Sequence, residues 1–219
     1  MRPTIAEPAV TITDYLLALE TGLFAVALAR RGAGRGTVRR AGAAFFGATS
    51  VGALLGGTVH GFFPDARQPA RRPLWRATLL AIGTGALAAW ALAARIGFPP
   101  RRARRLTALA LLPFALYCAV VLGVTQRFLV AILASLPASG FLLAVFARRY
   151  ARGRERPVGL GLVGIALTFV AAGVQQGRFA LHPRYCDHNT LYHLIEGVAF
   201  LLFFAGLRGI EAPAGAADA

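Results

Sequence analysis

The sequence predicts an all-α polytopic membrane protein, a bundle of seven transmembrane helices, on three observations. Of its 219 residues 57% are hydrophobic, and the mean hydropathy is +0.59. Apolar runs of about 20 residues, the length that spans a bilayer, recur along the whole chain. All 24 Lys and Arg residues are arginine, and they cluster between the apolar runs, as residues that orient helices in a bilayer do. Residues 1–210 therefore read as one transmembrane domain with no separate soluble unit. The Ala- and Gly-rich tail, 211–219, is expected to be disordered.

Taken in order, the spans are expected at residues 10–29, 41–63, 74–96, 106–124, 128–146, 158–174 and 189–207. The first ten residues lack the basic, apolar and small-residue order of a cleaved signal peptide. Arginines then set the orientation. The first loop carries Arg30, Arg31, Arg35, Arg39 and Arg40, and the third carries Arg95, Arg101, Arg102, Arg104 and Arg105. The fifth carries Arg148, Arg149, Arg152, Arg154 and Arg156. The fourth has only Arg127 and the sixth only Arg178 and Arg184. The second, with Arg67, Arg71, Arg72 and Arg76, is ambiguous. By the positive-inside rule the odd loops are cytoplasmic, the N-terminus outside and the C-terminus inside.

Composition also excludes functions. The net charge of +15 lies in loops between spans, so no nucleic-acid partner is expected; membrane lipids are the expected surroundings and the expected substrate. A retinal Schiff base needs a lysine amine, and the chain has none. Cys118 and Cys186 imply no disulfide framework.

The polar residues of the spans converge on one layer. His60 lies near the outer end of the second span, His193 near the outer start of the seventh and Asp14 near the outer start of the first. At a rise of 1.5 Å per residue all three lie roughly 5 Å below the same boundary. Ionisable groups in a membrane interior are costly, so Asp14, Glu20 and Glu196 are expected to face the bundle interior. Gly52 and Gly56 form a small-xxx-small pair that would admit a neighbouring helix. On the seventh span Asn189, His193 and Glu196 share one face.

Zinc favours imidazole nitrogen, and a catalytic site keeps three protein ligands and an open position for water. His60, His188 and His193 are the candidate ligands. His188 precedes His193 by five residues, which in a regular helix is about 140° away. It can serve only from a non-helical entry to the span. Asp187 reads equally as a site residue and as the N-cap of that helix. His182, beside Pro183, reads as a loop histidine. Zinc lowers the pKa of its water to about 7, and Asp14 lies at the depth of a general base or a group orienting that water. Glu196 is a candidate partner behind His193. Glu20 reads as a polar link to another helix through Thr84 or Thr168.

A histidine ending the second of seven spans and a histidine pair opening the last resemble the alkaline ceramidase and progestin/adiponectin-receptor superfamily of seven-helix membrane hydrolases. Gly57-Thr-Val-His60-Gly with Asp187-His-Asn-Thr-Leu-Tyr-His193 is similar to a divergent bacterial branch of unknown function. The resemblance implies zinc at His60 and His193, hydrolysis of an amide in a lipid, and a bacterial inner membrane. The chain departs from the pattern at three points. Asn189 stands at the first position of HxxxH, Gly56 stands at the serine four residues before the second-span histidine, and the third span has no carboxylate.

The leading expectation is thus a zinc-dependent intramembrane hydrolase of a lipid amide or ester, with its site in the outer leaflet. Two others stay open. His60 and His193 at equal depth are also an arrangement for a bis-histidine haem. Buried carboxylates also suit a non-enzymatic receptor, sensor or transporter, although the two halves of the chain show no internal repeat.

Overall fold

The computed structural model describes residues 5–30, 36–183 and 185–210. The tail at 211–219, the first four residues of the N-terminal stretch, and Arg31, Arg35 and Arg184 lie outside the described residues. The described chain is all helical: α1 (Pro8–Arg30), α2 (Thr37–Phe62), α3 (Arg71–Gly97), α4 (Pro100–Leu109), α5 (Leu111–Gly123), α6 (Phe128–Gly153), α7 (Arg156–Gln176) and α8 (His188–Gly209). α4 and α5 together make one apolar segment, so seven segments are long and apolar enough to cross a membrane. Their outward faces carry residues such as Leu16, Leu19, Leu116, Leu133 and Leu201, each more than half exposed, which suits lipid rather than water as solvent.

The helices outrun the apolar windows because arginine is a good helix former and its long side chain reaches back to the interface. α6 continues past Phe146 through Arg148, Arg149 and Arg152, so these arginines belong to a helix end rather than a loop. α4 begins at Pro100, which suits the first helical position, and runs through four exposed or partly exposed arginines before the apolar stretch. The break at Ala110 has a local cause. Pro113 has no N–H for the carbonyl four residues back, at Leu109, where α4 ends.

Neighbour relations give the architecture. α1 packs on α2, α2 on α3, α3 on α6, α6 on α7, α7 on α8, and α8 on α1, so six helices close a ring. The α4–α5 segment stands outside it, against α3 and α6. Tyr117 of α5 joins it to the ring, donating its hydroxyl to the Leu79 carbonyl at 2.7 Å. One end of the ring is filled by an aromatic cluster of Phe24, Phe45, Phe46, Phe146, Phe200, Phe203 and Phe204. Phe24 stacks on Phe204 at 4.2 Å, and Phe46 meets Phe45, Phe200 and Phe203 at 5.2 to 6.1 Å. Such offset and edge contacts add to the burial of the rings.

The closest backbone approach is between α7 and α8, not at the Gly52 and Gly56 pair. A Cβ on either of those would make only ordinary contacts, at 3.6 Å or beyond. A Cβ on Gly164 would lie 2.6 Å from the Ala199 carbonyl oxygen, and one on Gly206 would lie 2.6 Å from the Gly161 nitrogen. Small residues let two helices meet backbone to backbone where no hydrophobic effect draws them together.

Three of the four arginines of the second loop are engaged. Arg67 pairs with Asp65 at 2.9 Å and holds that carboxyl below its usual range. Arg71 donates to the Phe63 and Pro64 carbonyls at 2.6 and 3.0 Å, just past α2, and Arg76 donates to the Leu122 carbonyl at 3.1 Å, near the end of α5.

Gly164→Leu should lower the thermal stability of the detergent-solubilised protein by about 3 kcal/mol or more, because no backbone can move aside cheaply. Gly140→Ala, where an added Cβ meets nothing within 4 Å, should change it by less than about 0.5 kcal/mol. Equal melting temperatures for the two variants would contradict the packing described.

Candidate functional site

The ring encloses a cavity of about 450 Å³ lined by α1, α2, α3, α6, α7 and α8. On α8 the lining residues are Asn189, Tyr192, His193, Glu196, Phe200 and Phe203, which recur at three- and four-residue intervals down one face. The cavity is graded. Among the lining residues, His60, Trp75, Gln175 and Asn189 come from the helix ends at one side of the ring, the mouth end, Asp14 and His193 lie within about two turns of it, and Phe45, Phe200 and Phe203 come from the opposite side. Gln175 and Asn189 face one another at 3.4 Å across α7 and α8.

Asp14 and His193 meet where α1 closes the ring against α8. His193 Nε2 lies 3.2 Å from Asp14 Oδ1, and both side chains are about nine-tenths or more buried. The other ring nitrogen, Nδ1, lies 3.2 Å from the Thr13 hydroxyl oxygen. Thr13 also lies 3.0 Å from the Ala9 and Val10 carbonyls, to which its single proton is directed. Towards His193 the hydroxyl is therefore the acceptor and Nδ1–H the donor. A neutral His193 then turns the lone pair of Nε2 on the Asp14 carboxylate, two acceptors face to face. A cation belongs between them, a proton or a metal ion. The second carboxylate oxygen, Oδ2, is buried with no hydrogen-bond partner.

Glycine on α2 makes room for this carboxylate. A Cβ on Gly57 would lie 2.7 Å from the Asp14 Cβ, so any larger residue pushes α1 away. A Cβ on Gly56 would lie 3.9 Å from both Asp14 carboxylate oxygens and 3.7 Å from Thr78 of α3. Asp14 thus occupies the space beside Gly56 of α2 and Thr78 of α3.

His60 forms a second carboxylate pair. Its Nδ1 lies 3.1 Å from Glu7 Oε2, and the preceding Ala6 N–H bonds the Gly61 carbonyl at 3.0 Å, which ties this segment to the end of α2. With Nδ1–H given to Glu7, Nε2 is the nitrogen left for a ligand, the arrangement in which metal-bound histidines are commonly held. Glu7 and Asp14 are seven residues apart on α1 and its entry, so one helix face supplies both carboxylates.

The remaining candidates are placed elsewhere. Asp187 is the N-cap of α8, its Oδ1 accepting the Thr190 N–H at 2.8 Å. His188 is the first residue of α8 and does not line the cavity; Asn189 does. The non-helical entry that would have turned His188 towards His193 is absent, because the Asp187 cap starts the helix one residue too early. His182 closes a short turn, its Nδ1 accepting the Tyr185 N–H at 3.2 Å. Glu196 lines the cavity without touching the His193 ring nitrogens, and Thr13 takes the supporting place expected of Glu196. Glu20 lies in a shallow groove between α1 and α8, 3.3 Å from where a Gly197 Cβ would stand, and bonds neither Thr84 nor Thr168.

Among the described residues no three His, Cys, Asp or Glu side chains form a group that could hold a metal ion. The Asp14–His193 pair nevertheless fits part of such a group. Two zinc ligands at 2.0–2.1 Å and a tetrahedral angle are about 3.3 Å apart, against the 3.2 Å between Asp14 and His193. His60 lines the same cavity. Thr13 and Glu7 were not singled out from the sequence, and the one signal for Thr13 was its place beside Asp14.

The chain belongs to a family of unknown function (DUF6962), whose model matches residues 9–212. No curated protein and no solved structure matches it.

Thr13→Val removes the acceptor of His193 Nδ1–H and should cost about 1 to 3 kcal/mol in thermal unfolding, whereas Thr13→Ser should recover most of it. A Thr13→Val protein as stable as the wild type would contradict the Thr13–His193 hydrogen bond.

Proposed function

We propose that this chain is a zinc-dependent intramembrane hydrolase that cleaves an amide or ester linkage of a membrane lipid. The observation that carries the reading is the graded cavity, with Asp14, His60 and His193 near its mouth and phenylalanines at its far end. An amphiphile fits that gradient in one sense only, its linkage at the polar end and its acyl chain on the phenylalanines. The arginine distribution supports a mouth at the outer leaflet, with three of the four second-loop arginines, Arg67, Arg71 and Arg76, engaged by Asp65 and by helix-end carbonyls.

His60, His193 and Asp14 would hold the metal. When bound, zinc supplies Lewis acidity and a nucleophile available at neutral pH. Glu7 and Thr13 keep the two imidazoles in their tautomers. Asp14 Oδ2, which has no hydrogen-bond partner among the described residues, takes a proton from water and returns it to the leaving nitrogen or oxygen. The aliphatic and aromatic walls exclude bulk water from the reacting linkage. A bis-histidine haem is disfavoured by the same geometry, because both ring nitrogens of His193 already face protein atoms at 3.2 Å.

Purified protein supplied with zinc should release fatty acid from N-acyl or O-acyl lipids in mixed micelles. His193→Ala and Asp14→Ala should each lower that rate by about a hundredfold or more. Absence of release from both lipid classes, or rates unchanged in both variants, would overturn the proposal.

A further inference from the structure

Below Asp14 and His193 the cavity carries a second polar band that the hydrolytic reading does not use. Glu196 lies three residues further along α8, about 4.5 Å deeper along the helix axis. It is 5% exposed and lines the cavity. It makes no hydrogen bond or ion pair among the described residues. Ser135 and Ser139 of α6 line the same cavity, and their hydroxyls also make no hydrogen bond among the described residues. A helical serine or threonine ordinarily gives its proton to a carbonyl one turn back. Thr49 and Thr168, also on the cavity wall, do so at 3.0 and 2.8 Å, to Phe45 and Ile165.

The band is confined in depth. Glu196 is eight residues below the start of α8 and Ser135 seven below the start of α6, which places both roughly 10 to 12 Å beneath the mouth end of their helices. Phe200 and Phe203 lie beyond Glu196 on the same face, where the lining turns apolar. The buried Glu196 carboxyl and the half-buried Ser135 and Ser139 thus line the cavity at one depth with hydrogen-bonding capacity to spare for a ligand.

We propose that this band is a subsite for a hydroxyl group carried on the acyl chain of the ligand, so that hydroxyacyl lipids are preferred to plain ones. The position of that hydroxyl follows from the spacing. An extended chain advances about 1.3 Å per carbon beyond the carbonyl carbon, so the axial step of about 4.5 Å from His193 to Glu196 places the hydroxyl at the 4- or 5-position. Glu196 and Ser135 bond it there, and the rest of the chain runs on to the phenylalanines. This rests on the reading that the linkage sits at Asp14 and His193.

Equilibrium binding tests it without requiring turnover. Dodecanoic, 4-hydroxydodecanoic and 12-hydroxydodecanoic acids compete with a fluorescent fatty acid for the full chain in detergent. The 4-hydroxy acid should bind about tenfold more tightly than the plain acid, the gain from one hydrogen bond to a charged or buried acceptor. The 12-hydroxy acid should bind more weakly than the plain one, because its hydroxyl meets the phenylalanines. Glu196→Leu should bring the ratio of 4-hydroxy to plain acid to about one, Glu196→Gln should keep much of it because an amide oxygen still accepts, and Ser135→Ala should lower it a few-fold. Equal binding of the plain and 4-hydroxy acids, no displacement by any of the three, or a ratio that survives Glu196→Leu would overturn the proposal. A preference that holds in a protein releasing no fatty acid would instead count against the hydrolytic reading alone.

Discussion

The pairing of Asp14 with His193 is the constraint on which the rest of the structure depends. It lies on the seam where α1, the first helix of the chain, meets α8, the last, and so closes the ring of six helices. Two acceptors held 3.2 Å apart inside a bundle repel unless a cation joins them. The fold nonetheless brings them together with care. Gly57 admits α1 to a distance no other residue would allow, and Thr13 fixes the His193 ring from behind. A pair serving only to tie two helices would not need a second carboxylate oxygen buried without a partner.

The ring explains why a cavity exists at all. α7 and α8 meet backbone to backbone through Gly161, Gly164 and Gly206, and α1 meets α2 through Gly57 and Gly61. Across the middle, by contrast, α2 reaches α8 mainly through the phenylalanine cluster at one end. Tight contacts around the circumference and bulky contacts at a single end leave the other end open. That end is also where His60 of α2 and His193 of α8 line one chamber. In lipid, where apolar surface gains nothing by leaving the bilayer, such a chamber is held by packing and polar contacts rather than by hydrophobic collapse.

Much of this was legible in the sequence, and what was not has a physical reason. Hydropathy located all seven spans, because a helix facing lipid must be apolar along its length. It misplaced their ends where arginines continue the helix, as in α6, and it missed the break that Pro113 makes at Ala110. Depth could be counted residue by residue, which is why Asp14, His60 and His193 were put in one layer and are found lining one cavity. Rotation could not. Whether His188 or Asn189 faces inward turns on a single residue at the cap, and Asp187 decides it for Asn189. Glu7, Thr13 and Ser135 carry no sequence signal of their own, since threonine and serine are common in such helices and Glu7 lies before the first span. The places of Glu7 and Thr13 emerge only when α1 is laid against α2 and α8, and that of Ser135 only when α6 lines the same cavity.

The most direct measurement is zinc K-edge X-ray absorption on the purified protein after reconstitution with zinc, on the wild type and on Asp14→Ala. The account predicts stoichiometric zinc in the wild type with nitrogen and oxygen ligands at about 2.0–2.1 Å, the multiple scattering of histidine rings, and no sulfur. Asp14→Ala should lose most of the metal. A wild type that retains no zinc, or an Asp14→Ala protein with the same content and spectrum, would contradict it.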